Sequence, residues 1–154
     1  KPNCDCRIGK LKDKKQILRI SNEKTSNSRL AQDLSLPLKF RNNYRKAWVE
    51  NFYRGKRGDL IVVAHKKNII MGFLLLIKKN DKLRVDLIVT KKIYQKKGVA
   101  SSMINYTNNI FLNSKIKNIV AGTQSNNFGA LKFYKKLNFV KKKKEYIYHL
   151  QSNK

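Results

Sequence analysis

The sequence predicts an α/β domain in which a mostly antiparallel sheet is followed by helical crossovers. Three apolar runs separated by short polar turns follow one another between residues 60 and 89, which is typical of strands linked by hairpins. Two amphipathic segments then flank a further apolar run, as in strand–helix crossovers. With 154 residues, 41% of them hydrophobic, the chain has the length and composition of one domain with a packed core.

The elements before residue 60 are predicted from helix caps and helix breakers. Asp13 stands where a side-chain N-cap would begin a helix, and Gly55 and Gly58 end another. The polar stretch at residues 23–40 contains Pro37 and is predicted to be irregular. The predicted elements are a strand at residues 6–11 and helices at residues 14–22 and 44–53.

The later elements are predicted from apolar runs and turn residues. Polar triplets at residues 66–68 and 80–82 mark two turns, and a glycine, Gly98, precedes the next amphipathic segment. The predicted strands lie at residues 60–65, 69–77, 83–89 and 116–122. The predicted helices lie at residues 99–112 and 128–137, and a closing pair of strands is predicted at residues 139–142 and 146–149.

The charge is strongly basic, with 28 Lys and 8 Arg against 9 acidic residues and a net charge of +27. A positive field of this size attracts polyanions, so a nucleic-acid surface is one interpretation. The other is a compositional bias towards Lys on solvated faces. Because the basic residues are spread along the whole chain, the bias is favoured, and no specific nucleic-acid partner is predicted.

The cysteine and hydropathy patterns predict a chain without metal or membrane span. Cys4 and Cys6 have no second cysteine pair, and His65 and His149 are distant in sequence, so no metal site is expected. Two ordinary thiols fit a reducing cytoplasm. The longest apolar run, residues 69–77, is far shorter than the roughly 18 residues that a spanning helix requires.

The segment after the third of these strands has the character of a pyrophosphate cradle. An apolar strand ends, a short basic loop with Lys96 and Lys97 follows, and a helix begins at Gly98. Free N–H groups and the helix dipole favour an anion at a helix N-terminus, and glycine allows the backbone to approach a phosphate closely. The loop lacks the glycine patterns of ATPases and of dinucleotide-binding folds.

Two motifs identify a family resemblance. The loop, Gln95-Lys96-Lys97-Gly98-Val99-Ala100, fits the pattern [RQ]-x-x-G-x-[GA]. The pattern N-x-x-A-x-x-[FLY]-Y-x-x-x-[GN]-F follows, formed by Asn127, Ala130, Phe133, Tyr134, Asn138 and Phe139. Together they resemble the GNAT N-acetyltransferase superfamily over residues 60–149, and more weakly before that.

The resemblance implies a GNAT-type mixed, mostly antiparallel sheet that is splayed between its fourth and fifth strands and flanked by helices. It implies a single domain over residues 1–154, with residues 1–59 on the acceptor side and residues 60–149 as the cofactor-binding core. Acetyl-CoA is then the co-substrate, and its pantetheine arm lies along the strand edge left unpaired by the splay.

The family's functional residues carry over to matching positions. The residues that the resemblance assigns to acetyl-CoA are Leu87, Ile88, Val89, Gln95, Lys96, Lys97, Gly98, Val99, Ala100, Ser101, Asn127, Phe133 and Tyr134. Tyr134 is the expected general acid for the leaving thiolate, since a phenol with a pKa of about 10 suits a thiolate of similar basicity. The backbone N–H of Val89 is the expected donor to the oxyanion.

The general base is the least determined part of the site. Family members that modify protein N-termini carry a glutamate five residues before the motif asparagine, where this chain has Gly122. The acidic candidates are Asp86, Glu50 and Asp59, of which Asp86 is assigned because it lies beside the splay. Two alternatives stay open: Asp86 pairs only with Arg84 or a lysine, and a neutral amine reacts without a strong base.

A narrower resemblance points to the acceptor. Bacterial acyltransferases of dTDP-4-amino-4,6-dideoxy sugars, of the fucosamine type, share several features with this chain. These are Gly122-Thr123-Gln124, Trp48 to Asn51, Gly72-Phe73, and the terminal Tyr146, Tyr148 and His149. A nucleotide sugar brings a second pyrophosphate, for which the candidate residues are Arg41, Arg45, Arg54 and Lys56. The alternative is that these four form a solvated helix face.

The sequence therefore predicts a cytoplasmic, acetyl-CoA-dependent N-acetyltransferase that acts on a small amine, a nucleotide-linked amino sugar of polysaccharide biosynthesis. One alternative is acetylation of a protein or peptide amine, against which Gly122 and the positive charge argue. The other is a non-enzymatic basic module that binds nucleic acid or CoA. A homodimer is left open.

Overall fold

The computed structural model describes residues 3–23, 30 and 33–146. Within them the strands form one five-stranded sheet in the order β1-β2-β3-β4-β5. The strands are β1 (Asp5–Ile8), β2 (Leu60–Lys66), β3 (Ile69–Lys79), β4 (Lys82–Thr90) and β5 (Asn118–Ala121). The helices are α1 (Lys14–Ser21), α2 (Leu38–Tyr53), α3 (Val99–Phe111) and α4 (Phe128–Lys136), with 3₁₀ turns at Leu11–Asp13 and Lys92–Tyr94. The chain divides into two compact units, Lys1–Gln124 and Ser125–Lys154.

The sheet is antiparallel from β1 to β4, and β5 runs parallel to β4. Tight turns connect the hairpins, and Lys67 and Asn80 adopt the left-handed backbone conformation there. The parallel pairing covers only Lys82–Val85 of β4, because β5 ends at Ala121 while β4 continues to Thr90. The predicted α/β fold with a splay between the fourth and fifth strands is therefore confirmed.

The two faces of the sheet are covered by different helices. Ile17 of α1 and Val49 of α2 belong to one buried cluster together with Phe73 and Leu75 of β3. The neighbouring residue Gly72 faces the other way, towards α3. A Cβ on Gly72 would lie 2.8 Å from the Val89 carbonyl oxygen and 3.2 Å from the Met103 methyl group. Glycine is required here because helix and strands meet closely over this half of β4.

The N-terminal predictions need two corrections. The helix predicted at residues 44–53 begins at Leu38, directly after Pro37, since proline has a backbone angle suited to a helix start and needs no N–H partner there. Asp13 does not cap α1 with its side chain. Its carboxylate accepts hydrogen bonds from the Arg7 guanidinium and from the Lys10 N–H, both at 2.7 Å. An ion pair with the preceding strand thus replaces the predicted cap.

The closing pair of strands also needs correction. Residues 139–146 have no regular secondary structure, so the strand predicted at residues 139–142 does not form. Residues 141–144 are four consecutive lysines, which offer no apolar alternation to bury and repel one another. The rest of the predicted pair, with Tyr148 and His149, lies outside the described residues.

No helix in the described part of the chain combines the length and the apolar character needed to cross a membrane.

Candidate active site

The unpaired half of β4 forms one side of the candidate site in the first unit. From Asp86 to Thr90 the strand has β3 on one edge and no strand partner on the other within the described residues. Backbone groups on that second edge are free to bind a ligand. Which residues supply them depends on the hydrogen-bond alternation along β4.

The pairing with β3 fixes this alternation. The Lys91 N–H donates to the Met71 carbonyl oxygen at 2.9 Å, and the register continues with Gly72 opposite Thr90 and Phe73 opposite Val89. In antiparallel strands hydrogen-bonded and non-hydrogen-bonded pairs alternate. Val89 and Phe73 are therefore a hydrogen-bonded pair, and the N–H of Val89 points towards β3.

The free edge is consequently formed by Ile88 and Thr90. The Gln95 side chain donates to the Thr90 carbonyl oxygen at 3.2 Å, which agrees with an oxygen that points away from β3. This corrects the expectation that the Val89 N–H meets the oxyanion, because that N–H lies in the ladder with β3. Sequence reasoning missed Thr90, and the two-residue alternation of the strand is the signal that finds it once the register is known.

A β-bulge at Asp86 sets this alternation. Leu87 lies opposite Leu75 and Val85 opposite Leu76, so Asp86 is an extra residue without its own partner on β3. One extra residue shifts the two-residue period of the strand by one position. The bulge therefore exchanges which residues face the two edges of β4.

The Asp86 carboxylate is held by an arginine. Its Oδ2 lies 2.7 Å from Arg57 Nε and its Oδ1 lies 3.1 Å from Arg57 Nη2, a two-pronged ion pair. The side chain is 6% exposed, and Arg84 approaches it at 3.6 Å. The Arg57 guanidinium in turn lies over the Trp48 ring, 4.2 Å from its centroid. This geometry favours the ion-pair alternative for Asp86 over the role of general base.

Arg57 was missed by sequence reasoning, which considered the other basic residues nearby. It is separated from Asp86 by 29 positions, and no local pattern links the two.

The two other acidic candidates, Asp59 and Glu50, have different surroundings. Asp59 accepts a hydrogen bond from the Lys78 N–H at 2.7 Å. Glu50 is half-buried on α2 and has no ion pair with another described residue.

The loop between β4 and α3 has the geometry of an anion cradle. Gly98 adopts a left-handed conformation with φ 80°, and Lys96 does so with φ 59°. The first helical hydrogen bond runs from the Ser102 N–H to the Gly98 carbonyl oxygen at 2.9 Å. None of the six backbone N–H groups from residue 96 to residue 101 donates to another described residue. These groups and the α3 dipole together favour a phosphate.

The candidate residues for a second pyrophosphate are dispersed. Arg45 is 8% exposed, and its guanidinium donates to the Tyr44 hydroxyl at 2.9 Å and to the Glu23 carbonyl oxygen at 3.2 Å. It is therefore committed to the interior, which corrects its assignment as an acceptor contact. Arg54 and Lys56 are exposed after α2.

The second unit holds the other motif residues. The Asn127 Oδ1 accepts a hydrogen bond from the Ala130 N–H at 3.1 Å and caps α4, while its Nδ2 has no partner among the described residues. The Tyr134 ring packs 5.1 Å from both Phe133 and Phe139. Burial raises the pKa of Tyr134 to about 12, so its hydroxyl keeps its proton at neutral pH.

The contacts of two further titratable residues, His65 and Cys6, indicate structural roles. His65 Nδ1 lies 3.0 Å from the Lys67 carbonyl oxygen in the β2–β3 turn. Burial, together with the neighbouring Cys4, raises the pKa of Cys6 to about 12, so this thiol stays protonated. The described residues contain no group of three or more His, Cys, Asp or Glu side chains that could hold a metal ion.

Comparison with known proteins defines the class. Residues 27–139 match the acetyltransferase (GNAT) family. The match spans well over half of the chain, so the chain belongs to this family.

A curated relative adds a context. Over 142 residues the chain is 25% identical to the spore coat polysaccharide biosynthesis protein SpsD of Bacillus subtilis (strain 168). The alignment covers 92% of this chain and 49% of SpsD, so the chain spans about half the length of that relative.

Solved structures share the fold. The AAC(6')-Iy structure in complex with a bisubstrate analog, CoA-S-monomethyl-acetylneamine, aligns with a TM-score of 0.69 and 14% identity, covering 97% of this chain and 99% of that one. The PaiA N-acetyltransferase of Thermoplasma acidophilum in complex with coenzyme A aligns with a TM-score of 0.66 and 15% identity, covering 88% of each chain. At these identities the similarity shows the fold alone.

Proposed function

We propose that this chain transfers the acetyl group of acetyl-CoA to the amine of a nucleotide-linked amino sugar. The observation that carries the proposal is the free edge of β4 leading directly into a loop with six unpaired backbone N–H groups. Acetyl-CoA combines an extended arm that can pair with a strand edge and a pyrophosphate that needs such a cradle. The residues present therefore fit this ligand.

The cradle would bind the pyrophosphate with the N–H groups of residues 96–101. Lys96 and Lys97 add positive charge, and Gly98 leaves the space in front of these N–H groups without a side chain. Gln95 ties the loop to the end of β4 through its bond to Thr90 and so fixes the distance between cradle and strand edge. The backbone of Ile88 and Thr90 would pair with the pantetheine arm.

The transfer itself requires three functions from the chain. A backbone N–H on the free edge, that of Ile88 or Thr90, would stabilise the negative charge on the thioester oxygen when the amine attacks. The family motif assigns Tyr134 as the donor of a proton to the sulfur that leaves. With a pKa of about 12 its hydroxyl is protonated across the physiological range. The motif assigns Asn127 and Phe133 to the cofactor arm.

The chain needs little base catalysis for a weakly basic amine. The Asp86 carboxylate is engaged by Arg57, and neither Glu50 nor Asp59 forms an ion pair among the described residues. The amine of a dideoxy amino sugar is less basic than a lysine side chain, so a useful fraction is neutral near pH 7. The absence of an acid at Gly122 is consistent with such an acceptor.

The nucleotide sugar is proposed from three observations. The relative SpsD is named for the biosynthesis of a polysaccharide. The net charge of +27 attracts a second pyrophosphate and repels a basic peptide. Finally, Arg54 and Lys56 are exposed at the end of α2, within the N-terminal region that the resemblance assigns to the acceptor. Within this class, dTDP-4-amino-4,6-dideoxy sugars are the favoured substrates.

The test is acetyl transfer from acetyl-CoA to a panel of amines. The panel contains dTDP-4-amino sugars, the corresponding UDP sugars and N-terminal peptides, with thiol release as the readout. We expect the highest kcat/KM with a dTDP-4-amino sugar. Preference for a UDP sugar would correct the nucleotide, whereas preference for a peptide over every nucleotide sugar would refute the proposal.

A further inference from the structure

The Asp86 bulge has a direct consequence for the proposed acetyl-CoA edge. Below the bulge, the Asp81 carbonyl oxygen accepts the Lys117 N–H at 2.7 Å, so odd-numbered positions face β5. Above it, Lys91 pairs with Met71 on β3, so odd-numbered positions face β3 and even-numbered positions face the free edge. Without the extra residue, Leu87 and Val89 would present their N–H groups to acetyl-CoA.

The bulge is held by contacts from outside the strand. Arg57 grips both carboxylate oxygens of Asp86, at 2.7 Å and 3.1 Å. The guanidinium lies over the Trp48 ring, which also packs edge-on against Tyr44 on the same helix, with centroids 5.4 Å apart. Such a planar, two-pronged contact fixes both position and orientation, and a lysine cannot reproduce it.

Arg84 is unsuited to the same task. Its Nη2 is 3.6 Å from the Asp86 carboxylate, and its side chain is 58% exposed. An exposed, single contact of this kind fixes little. The chain therefore contains a strong and a weak arginine partner for one carboxylate.

We infer that Arg57 is a positioning residue for acetyl transfer. By holding Asp86 in the bulge, it determines which N–H groups of β4 face the thioester. Through Trp48 it links this edge to α2, which belongs to the N-terminal region. The inference rests on the proposed function, since it assumes that the free edge of β4 binds acetyl-CoA.

The experiment compares Arg57→Gln and Arg57→Lys with Arg84→Gln as the matched control. We expect kcat to fall about 100-fold in Arg57→Gln, the size of effect that a misplacement of about 1 Å produces. CoA affinity should fall by much less than kcat, because the cradle at residues 96–101, which would bind the pyrophosphate, keeps its own backbone geometry. The kcat of Arg57→Lys should be much closer to that of Arg57→Gln than to that of the wild type. Arg84→Gln should retain the wild-type kcat.

A double variant separates positioning from stability. Arg57→Leu combined with Asp86→Leu removes the buried charge together with its partner, so it should recover most of the melting temperature that Arg57→Gln loses. We expect kcat to remain low in this variant. Recovery of kcat together with the melting temperature would show that the pair is merely structural and would overturn the inference.

Hydrogen exchange gives a readout that does not depend on turnover. The backbone N–H groups of Leu87 and Val89, which pair with β3, should exchange about 10-fold faster in Arg57→Gln than in the wild type or in Arg84→Gln. Unchanged exchange at these positions with unchanged kcat would refute the role of Arg57. Wild-type protein that fails to acetylate any amine would instead refute the proposed function, while the exchange measurement would still decide whether Arg57 holds the bulge.

Discussion

Substitution of Gly98 by alanine tests the anion cradle most directly. Gly98 adopts φ 80°, a conformation in which a Cβ costs about 1–2 kcal/mol. For a chain of this length, that strain lowers Tm by about 2–8 °C. Because any side chain is strained here, the variant must be compared with one that carries the same strain elsewhere.

Gly55→Ala is the matched control. Gly55 is also left-handed, with φ 65°, and a Cβ on it would meet no atom within 4 Å. The two variants should therefore lose similar amounts of Tm. In Gly98→Ala the added Cβ is also carried by a residue of the cradle itself, whose own N–H is one of the six that would receive the phosphate. A charge-assisted hydrogen bond contributes about 1.5–3 kcal/mol, so losing one weakens CoA binding about 10- to 100-fold.

The assay is calorimetric titration of CoA together with thermal melting in its presence. Wild type and Gly55→Ala should bind CoA equally and gain about 2.7 kcal/mol at 100 times the dissociation constant. Gly98→Ala should need at least 10-fold more CoA for the same gain. Equal affinity of all three proteins would show that the loop does not bind the pyrophosphate.

Three further predictions concern single side chains. Tyr134→Phe should lower kcat by about 10²- to 10⁴-fold with little change in CoA affinity, as expected for the loss of a general acid. Retention of more than half of the activity would exclude that role. Gly122→Glu should keep the wild-type Tm, since a Cβ there meets no atom within 4 Å, and should lower kcat/KM for an anionic nucleotide sugar. A Tm loss would contradict the open surroundings. The hydrogen bond from Arg7 holds the pKa of Asp13 below its usual range. The ion pair therefore stabilises the fold fully above the unfolded pKa of about 3.9, and this stabilisation is lost as the pH falls through the lowered pKa of the folded state. Asp13→Asn should therefore lower the free energy of unfolding by about 1.5 kcal/mol at pH 7. It should change it by almost nothing at a pH below the pKa of Asp13 in the folded state, where the aspartic acid is neutral like the asparagine. Denaturant unfolding at the two pH values measures the difference.

The sequence by itself determined the elements between residues 60 and 137. Each is encoded locally, by an apolar run for β3, by the turn residue Asn80, or by Gly98 before the amphipathic α3. The cradle was predictable for the same reason, because its N–H groups belong to a short stretch of consecutive residues. Asn127 directly precedes the amphipathic α4 and caps it with its side chain, so this contact is also local in sequence.

The tertiary structure decided the parts of the site that depend on contacts distant in sequence. The pairing of Arg57 with Asp86 joins a loop to a strand, and only folding brings these side chains together. The orientation of Val89 depends on an extra residue in the register between β3 and β4, which the composition of β4 does not reveal. Arginine is usually a surface residue, yet Arg45 is buried, and its guanidinium donates to the carbonyl oxygen of Glu23, 22 positions earlier in the chain. In each case the observed conformation is stabilised by partners that the local sequence does not specify.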